Sequence, residues 1–412
     1  MSIHCFSTLK IFNIQCSILN YLWGTVNIFP KKSDKEIKIE QLRAQFVEVK
    51  AYLPDKIFTG QEWLKDHAVL VDEDIINDIL PSSELSADIS KENFPGCFIA
   101  PAFIDLQIYG AHGRLFAVYP ETGSLKKLNE YCRSGGAVYC LPTVATNKKE
   151  VFYKCIDAIR NYWDEGGEGI PGLHIEGPWI NPLKRGAHIE SLIHAPTIKE
   201  TEELLDYGKG VIKMITLAPE VCAKKIIELI LSQGIILSAG HSNATYREGM
   251  DGFNNGIPMA THLYNAMSPL QHRAPGLVGA VLDHPSVMAS IIPDGHHVDY
   301  AAIRIAKRIM GERLFVITDA VTETTEGGYQ HYLVEDKYEA AGILSGSALT
   351  MNKALQNLVK HAGIELDEAL RMCSRYPAKV LRMESELGKI EKGYRAYMVI
   401  MDEKLGVKKL IT

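Results

Sequence analysis

Four short apolar runs in this sequence each end in a residue able to hold a metal or carry a proton. Leu173-His174-Ile175-Glu176-Gly177-Pro178 brings a carboxylate, and Ser238-Ala239-Gly240-His241-Ser242-Asn243 an imidazole. Ala260-Thr261-His262-Leu263 brings a second imidazole, and Val316-Ile317-Thr318-Asp319-Ala320 a second carboxylate. Three nitrogen or oxygen ligands with an open fourth position make a catalytic divalent-metal site, zinc most simply, with iron or manganese as alternatives. Such an ion lowers the pKa of bound water towards about 7 and polarises a carbonyl oxygen. A carboxylate that is not itself a ligand can take the water's proton and deliver it to a leaving group. Singly, each residue has an ordinary structural reading: a satisfied core histidine, or an acidic cap at a helix N-terminus. The four together point to a metal-dependent hydrolase.

A second cluster leans positive. It comprises Asn265-Ala266-Met267, His272-Arg273-Ala274-Pro275-Gly276 and His296-His297. An arginine fork with imidazole and free backbone N–H groups suits a phosphate, although an ordinary solvated loop would read the same way. The loop Asn181-Pro182-Leu183-Lys184-Arg185-Gly186-Ala187-His188 carries a further histidine within reach of a substrate. No P-loop and no G-x-G-x-x-G lies between a strand and a helix, which argues against nucleotide binding.

These residues are far apart in sequence, so a scaffold must gather them. The middle of the chain repeats short β-branched or apolar runs that start near Phe103, Ala137, Leu173, Val211, Ile235, Pro258, Val287 and Arg313. Amphipathic helical stretches separate several of them. The clearest covers residues 223–233, with Ile226, Ile227, Leu229 and Ile230 apolar and Gly234 placed as a stop. Eight strands alternating with helices over roughly 250 to 280 residues predict an α/β fold of the (β/α)8 barrel type. Such barrels carry their chemistry at the C-terminal strand ends, where all four residues fall. Short β-like runs at residues 45–49, 56–60 and 67–71, and again at 388–401, predict one small sheet domain built from both chain ends.

Composition narrows the field. The chain has 412 residues, 46% hydrophobic and 23% charged, with a net charge of −6, which excludes collagenous, disordered and disulfide-scaffold classes. An acidic chain without a basic block is a poor partner for nucleic acid. The eight cysteines (Cys5, Cys16, Cys97, Cys132, Cys140, Cys155, Cys222 and Cys373) contain no C-x-x-C pair and read as reduced thiols of a cytoplasmic protein. Residues 11–30 are fairly apolar, but Asn13, Gln15, Ser17, Asn20 and Asn27 interrupt them. Neither a membrane span nor a cleaved export signal is expected there, and residues 1–47 are read as an extension of uncertain order.

The motifs taken together resemble the N-acetylglucosamine-6-phosphate deacetylase branch of the amidohydrolase superfamily. The resemblance rests on Pro101-Ala102-Phe103-Ile104-Asp105-Leu106-Gln107, residues 173–182, Leu217-Ala218-Pro219-Glu220 and residues 238–246. Residues 261–267, Pro275-Gly276-Leu277-Val278-Gly279-Ala280, Asp294-Gly295, His297-Val298-Asp299 and Leu344-Ser345-Gly346-Ser347-Ala348-Leu349-Thr350-Met351 follow in order, so it spans roughly residue 48 to the C-terminus. It implies a metal-dependent (β/α)8 TIM barrel over 100–383 and a small β-sandwich from residues 48–99 and 384–412. It further implies that Glu176, His241 and His262 ligate one divalent ion per subunit, zinc first, with iron, manganese or cobalt as alternatives. Asp319 would be the general base and acid, and His188 would contact the acetyl carbonyl. His297 and Arg273 would bind the sugar phosphate, with the main chain at Asn265 and Ala266, and Leu344 would also touch substrate. In this family the arginine comes from the neighbouring subunit, which implies a homodimer with a shared site.

The chain departs from the family in several places. Most of the superfamily has H-x-H at the end of strand one; here it reads Gln107-Ile108-Tyr109, which favours a single metal, with His112 as a remote substitute ligand. Ala102 replaces a usual glycine, and the end at Thr412 is early for a last sandwich strand. The competing readings are an amidohydrolase acting on a cyclic amide or another N-acyl amino sugar, and an inactive sugar-phosphate-binding regulator.

Overall fold

Successive side chains of the strand Met398–Asp402 face opposite ways, and both faces are buried. Val399 and Met401 join the main core, while Met398 and Ile400 join a second cluster with Tyr52, Ile57, Val69 and Ile99. Phe98, Ile99 and Ala100 alternate the same way on the neighbouring strand Ser90–Pro101. A computed structural model describes residues 49–412, and in it seven strands from both chain ends form one sheet. Its order is Val407–Ile411, Met398–Asp402, Ser90–Pro101, Lys50–Phe58, His67–Asp72 and Ile75–Pro81, with Trp63–Lys65 paired to Lys50–Phe58. One face of this sheet packs on the barrel; the other closes over its own core with Ile390 and Ala396. The final strand Val407–Ile411 pairs antiparallel with Met398–Asp402, with a shift of register between Ile400 and Met401. The expected extension and residues 45–48 lie outside the described residues.

A second sheet holds eight parallel strands in chain order: Phe103–Ile108, Ala137–Ala145, Leu173–Glu176, Ile212–Leu217, Ile236–Ala239, Met259–Ala260, Met288–Ile291 and Leu314–Val316. Each starts at, or one residue after, its expected position. The last strand returns to the first: Asp319 N–H donates to the Gln107 carbonyl at 3.0 Å and Tyr109 N–H to the Ala320 carbonyl at 2.9 Å. That pairing closes the sheet into a barrel. Helices Thr122–Ser134, Lys149–Asp164, Ile198–Tyr207, Lys224–Ser232, Tyr246–Asn254, Gly276–Asp283 and Tyr300–Met310 follow the first seven strands. Met351–Lys360, Leu366–Cys373 and Arg375–Val380 follow the eighth. The helix expected at 223–233 is Lys224–Ser232, and Gly234 beyond it has φ 76°.

Two details correct or refine the sequence reading. After the eighth strand the chain builds an unexpected three-stranded antiparallel sheet, Tyr332–Val334, Lys337–Ala340 and Ile343–Ser347. Ala102 does not take a positive φ, so alanine sits there without backbone strain. Among the described residues no helix is long and apolar enough to cross a membrane. The described cysteines are all free, and all but Cys97 are buried.

Candidate active site

Below the barrel rim lies a layer of neutral polar groups that forms the floor of the site. His174, two residues before Glu176 and on the same strand face, contacts the Leu106 carbonyl at 3.1 Å and Thr216 Oγ1 at 2.8 Å. Thr216 contacts Thr261 Oγ1 at 2.8 Å, which contacts Ser238 Oγ at 2.5 Å. Burial pulls His174 down to about 4, so it is a neutral core histidine.

Above this floor the four strand-end residues converge. Glu176 closes its strand; His241, His262 and Asp319 sit just beyond theirs, with φ of 47°, 36° and 55°. Left-handed backbone is costly for such residues and persists where neighbours over-determine it. Here they do. Asn181 N–H donates to the His241 carbonyl at 2.8 Å, Ser290 Oγ accepts His262 N–H at 2.8 Å, and Ser347 N–H donates to the Asp319 carbonyl at 3.0 Å. A capping box, Thr245 with Glu248, starts the helix Tyr246–Asn254 and anchors the loop behind His241.

The donor atoms crowd one point. Glu176 Oε1 lies 3.1 Å from His262 Nε2 and 3.3 Å from His241 Nε2, and the two nitrogens are 3.1 Å apart. Ligand atoms about 2.0–2.1 Å from a tetrahedral ion would stand about 3.3 Å from one another, so this set fits one cation. His241 Nδ1–H donates to the Lys184 carbonyl at 2.9 Å, which leaves a lone pair on the inward Nε2. The buried His262 Nδ1 has no hydrogen-bond partner, so its ring lacks such an outer support. Burial opposes the Glu176 charge, yet His241, His188 and His262 hold its carboxyl well below the usual range.

His188 also reaches this point, and its Nε2 is 3.3 Å from Glu176 Oε2. By distance alone Glu176, His188 and His241 form a metal-sized group. The tautomer separates His188 from the others. Its Nδ1 faces two groups of Thr146, the N–H at 3.3 Å and Oγ1 at 2.7 Å; because a backbone N–H can only donate, the proton is assigned to Nε2, which then donates rather than ligates. Burial and His241 lower His188 to about 4, keeping the ring neutral. Thr146 can approach because residue 177 is glycine: its φ is 76°, and a Cβ there would stand 2.2 Å from Thr146 Oγ1.

Asp319 is buried, and Gln107 Nε2–H donates to its Oδ1 at 2.6 Å. Burial and the Glu176 carboxylate raise its proton affinity despite nearby imidazoles. The same cavity is lined by Asn265, Ala266, His297 and Leu344, as expected, and by Tyr109, Thr143, Tyr329 and His331, which the sequence reading left out of the site. The sequence places Gln107 and Tyr109 at the end of strand one only as substitutes for two histidines; alternation, which puts Asp105, Gln107 and Tyr109 on one strand face, could have given them a part in the site. Tyr329 and His331 belong to the excursion after strand eight, whose course the sequence pattern does not reveal. His297 Nδ1–H donates to Asp294 Oδ2 at 2.5 Å, leaving Nε2 for a ligand. The Asn265 N–H is spent on the His262 carbonyl at 2.9 Å, whereas the Ala266 N–H has no acceptor among the described residues.

Three expected residues lie elsewhere. Arg273 is exposed on the 271–274 turn and does not line this chain's cavity. His296 turns away to Asp336 at 2.6 Å. His112, read as a remote substitute ligand, is exposed and packs edge-on against Tyr131, outside the cavity.

The sequence matches the Amidohydrolase family over residues 98–411 and the NagA composite domain over residues 55–99. It is 34% identical over 355 residues to N-acetylglucosamine-6-phosphate deacetylase of Haemophilus influenzae, covering 84% of this chain and 93% of that one. N-acetylgalactosamine-6-phosphate deacetylase of Escherichia coli O157:H7 is 29% identical, covering 86% and 96%. The crystal structure of N-acetylglucosamine-6-phosphate deacetylase from Pasteurella multocida superimposes with a TM-score of 0.85 at 35% identity, covering 88% of this chain and 98% of that one. With the closed barrel, the buried Glu–His–His cluster and the matched length, the chain belongs to the amidohydrolase family, in its N-acetylglucosamine-6-phosphate deacetylase branch.

Proposed function

We infer that the protein hydrolyses the acetamide of N-acetylglucosamine 6-phosphate to glucosamine 6-phosphate and acetate, in amino-sugar catabolism and recycling. The observation that carries this reading is the convergence of Glu176, His241 and His262 beside Asp319, on a rim that also presents His297. Glu176, His241 and His262 would hold one divalent cation, zinc in the first place. When bound, that cation supplies Lewis acidity at the carbonyl and a more acidic water. Asp319 takes the proton of the attacking water on Oδ2, since Gln107 occupies Oδ1. The new C–O bond forms, the C–N bond breaks, and Asp319 returns the proton to the leaving amine. His188, neutral and protonated on Nε2, donates to the carbonyl oxygen as it gains charge.

The phosphate end is assigned to His297, the Ala266 N–H and Arg273. The Asp294 carboxylate, which His297 keeps low despite burial, accepts the Nδ1–H of that ring and so turns Nε2 towards the cavity; with a proton on both nitrogens the ring would donate from Nε2 to an anion. Arg273 stands outside its own cavity, which fits a homodimer with the arginine reaching the partner's site. Free, mostly buried thiols fit a cytoplasmic protein.

Acetate release from metal-replete protein, with N-acetylglucosamine tested with and without its 6-phosphate, checks the reading. Turnover of the phosphorylated sugar alone is expected. Equal turnover of both would remove the phosphate contacts, and release from neither, with metal bound, would favour cyclic amides. The galactosamine epimer belongs in the same assay, given the matched relative that carries its name. Arg273→Ala should raise KM for the phosphorylated sugar chiefly. At substrate far below the KM of Arg273→Ala, mixing Arg273→Ala with Asp319→Asn subunits should restore about a quarter of the wild-type rate, because about half of random dimers are hybrids with one intact site. No recovery on exchange would place Arg273 in its own subunit's site or outside the reaction.

A further inference from the structure

The residues that replace the usual histidine pair on strand one are tied into both carboxylates of the site. The Tyr109 hydroxyl donates to Glu176 Oε2. Gln107 Nε2 lies 2.8 Å from Tyr109 Oη, 3.1 Å from Glu176 Oε1 and 2.6 Å from Asp319 Oδ1. A side-chain amide has two hydrogens, so three acceptors compete for them. A cation held on Oε1 removes that oxygen from the competition. Gln107 then has one hydrogen for Asp319 and one for Tyr109, and the phenol passes its own hydrogen to Oε2. A positive ion on Oε1 therefore lets every hydrogen of this group find its own acceptor, a part that a protonated Nε2 of His262 or His241, 3.1 and 3.3 Å from the same oxygen, would otherwise play.

We propose that Tyr109 is a positioning residue: its hydroxyl occupies Glu176 Oε2 and so fixes Glu176 as a one-oxygen ligand that offers Oε1 to the cation. His188, whose Nε2 is 3.3 Å from the same Oε2, helps from the other side but leaves for the substrate carbonyl during the reaction. Tyr109 is therefore the constant partner. Gln107 links this arrangement to Asp319, so the orientation of the ligand and that of the proton carrier are set by one chain of hydrogen bonds. The inference rests on reading Glu176, His241 and His262 as the ligands.

Tyr109→Phe removes the hydroxyl and keeps the ring, so packing along strand one is retained. Two readouts besides activity are decisive: zinc affinity by competition with a chromophoric chelator, and the visible absorption spectrum of the cobalt-loaded protein. Zinc affinity should fall about 10- to 100-fold, as it does when an outer partner of a ligand is lost. The cobalt spectrum should shift as Oε2 becomes free to coordinate, and kcat should fall more than KM rises. Wild-type affinity with an unchanged cobalt spectrum would overturn the proposal. So would a loss confined to the unfolding temperature of the metal-free protein, which is what a purely structural hydroxyl would give. Wild-type protein that takes up neither ion would instead overturn the ligand reading itself, and the inference with it.

Discussion

Replacing Asp319 by asparagine is expected to lower turnover of N-acetylglucosamine 6-phosphate by about 10²- to 10⁴-fold, the usual contribution of a positioned general acid–base. The substitution is close to isosteric. The amide oxygen can still accept the Gln107 hydrogen that now reaches Oδ1 at 2.6 Å, so the side chain should keep its place. What it loses is the ability to take a proton and give it back. The backbone bonds that hold residue 319 at φ 55°, to Gln107 and Ser347, involve main-chain atoms and survive the change. Metal content should therefore equal that of the wild type, and KM should move little. The measurement is acetate release beside metal analysis of the same preparation. Wild-type turnover would remove Asp319 from the mechanism; lost metal would make it a ligand instead of a proton carrier.

The barrel was legible because its strands are buried on both sides. Runs such as Ile212–Leu217 and Met288–Ile291 are β-branched or apolar nearly throughout, and their starts fall within one residue of the expected positions. The helix Lys224–Ser232 was legible for a complementary reason: its apolar face is regular, and Gly234 stops it. The small sheet was less distinct, since alternation predicts strands without saying that Met398–Asp402 pairs with Ser90–Pro101, far away in sequence. The added sheet at 332–347 escaped notice because Tyr332–Val334 is apolar but exposed, and burial is what a hydrophobic pattern normally reports.

Within the site, residue type and strand-end position were enough to bring Glu176, His241, His262 and Asp319 together. Protonation was not legible. Nothing in the sequence tells that the Thr146 N–H meets His188 Nδ1 while the Lys184 carbonyl meets His241 Nδ1, yet these two contacts give the rings opposite tautomers. Nor does the absence of histidine at 107 and 109 announce that glutamine and tyrosine bond to the carboxylates. Such roles depend on distances of a few tenths of an ångström between strands one, three and eight.

The tautomers lead to the second large effect. His241→Ala and His262→Ala should each strip the metal and lower turnover at least about 10³-fold, because both the carbonyl's polarisation and the acidified water depend on the cation. His188→Ala should also cut turnover, by about 10²-fold for the loss of one oxyanion donor, while leaving metal content at the wild-type level. Distance cannot make this separation, since His188 and His262 approach Glu176 to 3.3 and 3.1 Å. Protonation can: a nitrogen that already carries a proton has no lone pair for an ion, and the Thr146 N–H aimed at Nδ1 assigns that proton to the inward nitrogen of His188. Metal per chain after gel filtration in chelator, measured for all three variants, is the deciding quantity. The fold should survive in each, because the main apolar cluster draws on strands and helices all around the barrel and contains none of these histidines. Metal lost from His188→Ala and retained by His262→Ala would move the ligand set to Glu176, His188 and His241. His262 would then be free to bond Glu176 through a protonated Nε2, and its unpartnered Nδ1 would become the acceptor side of that ring.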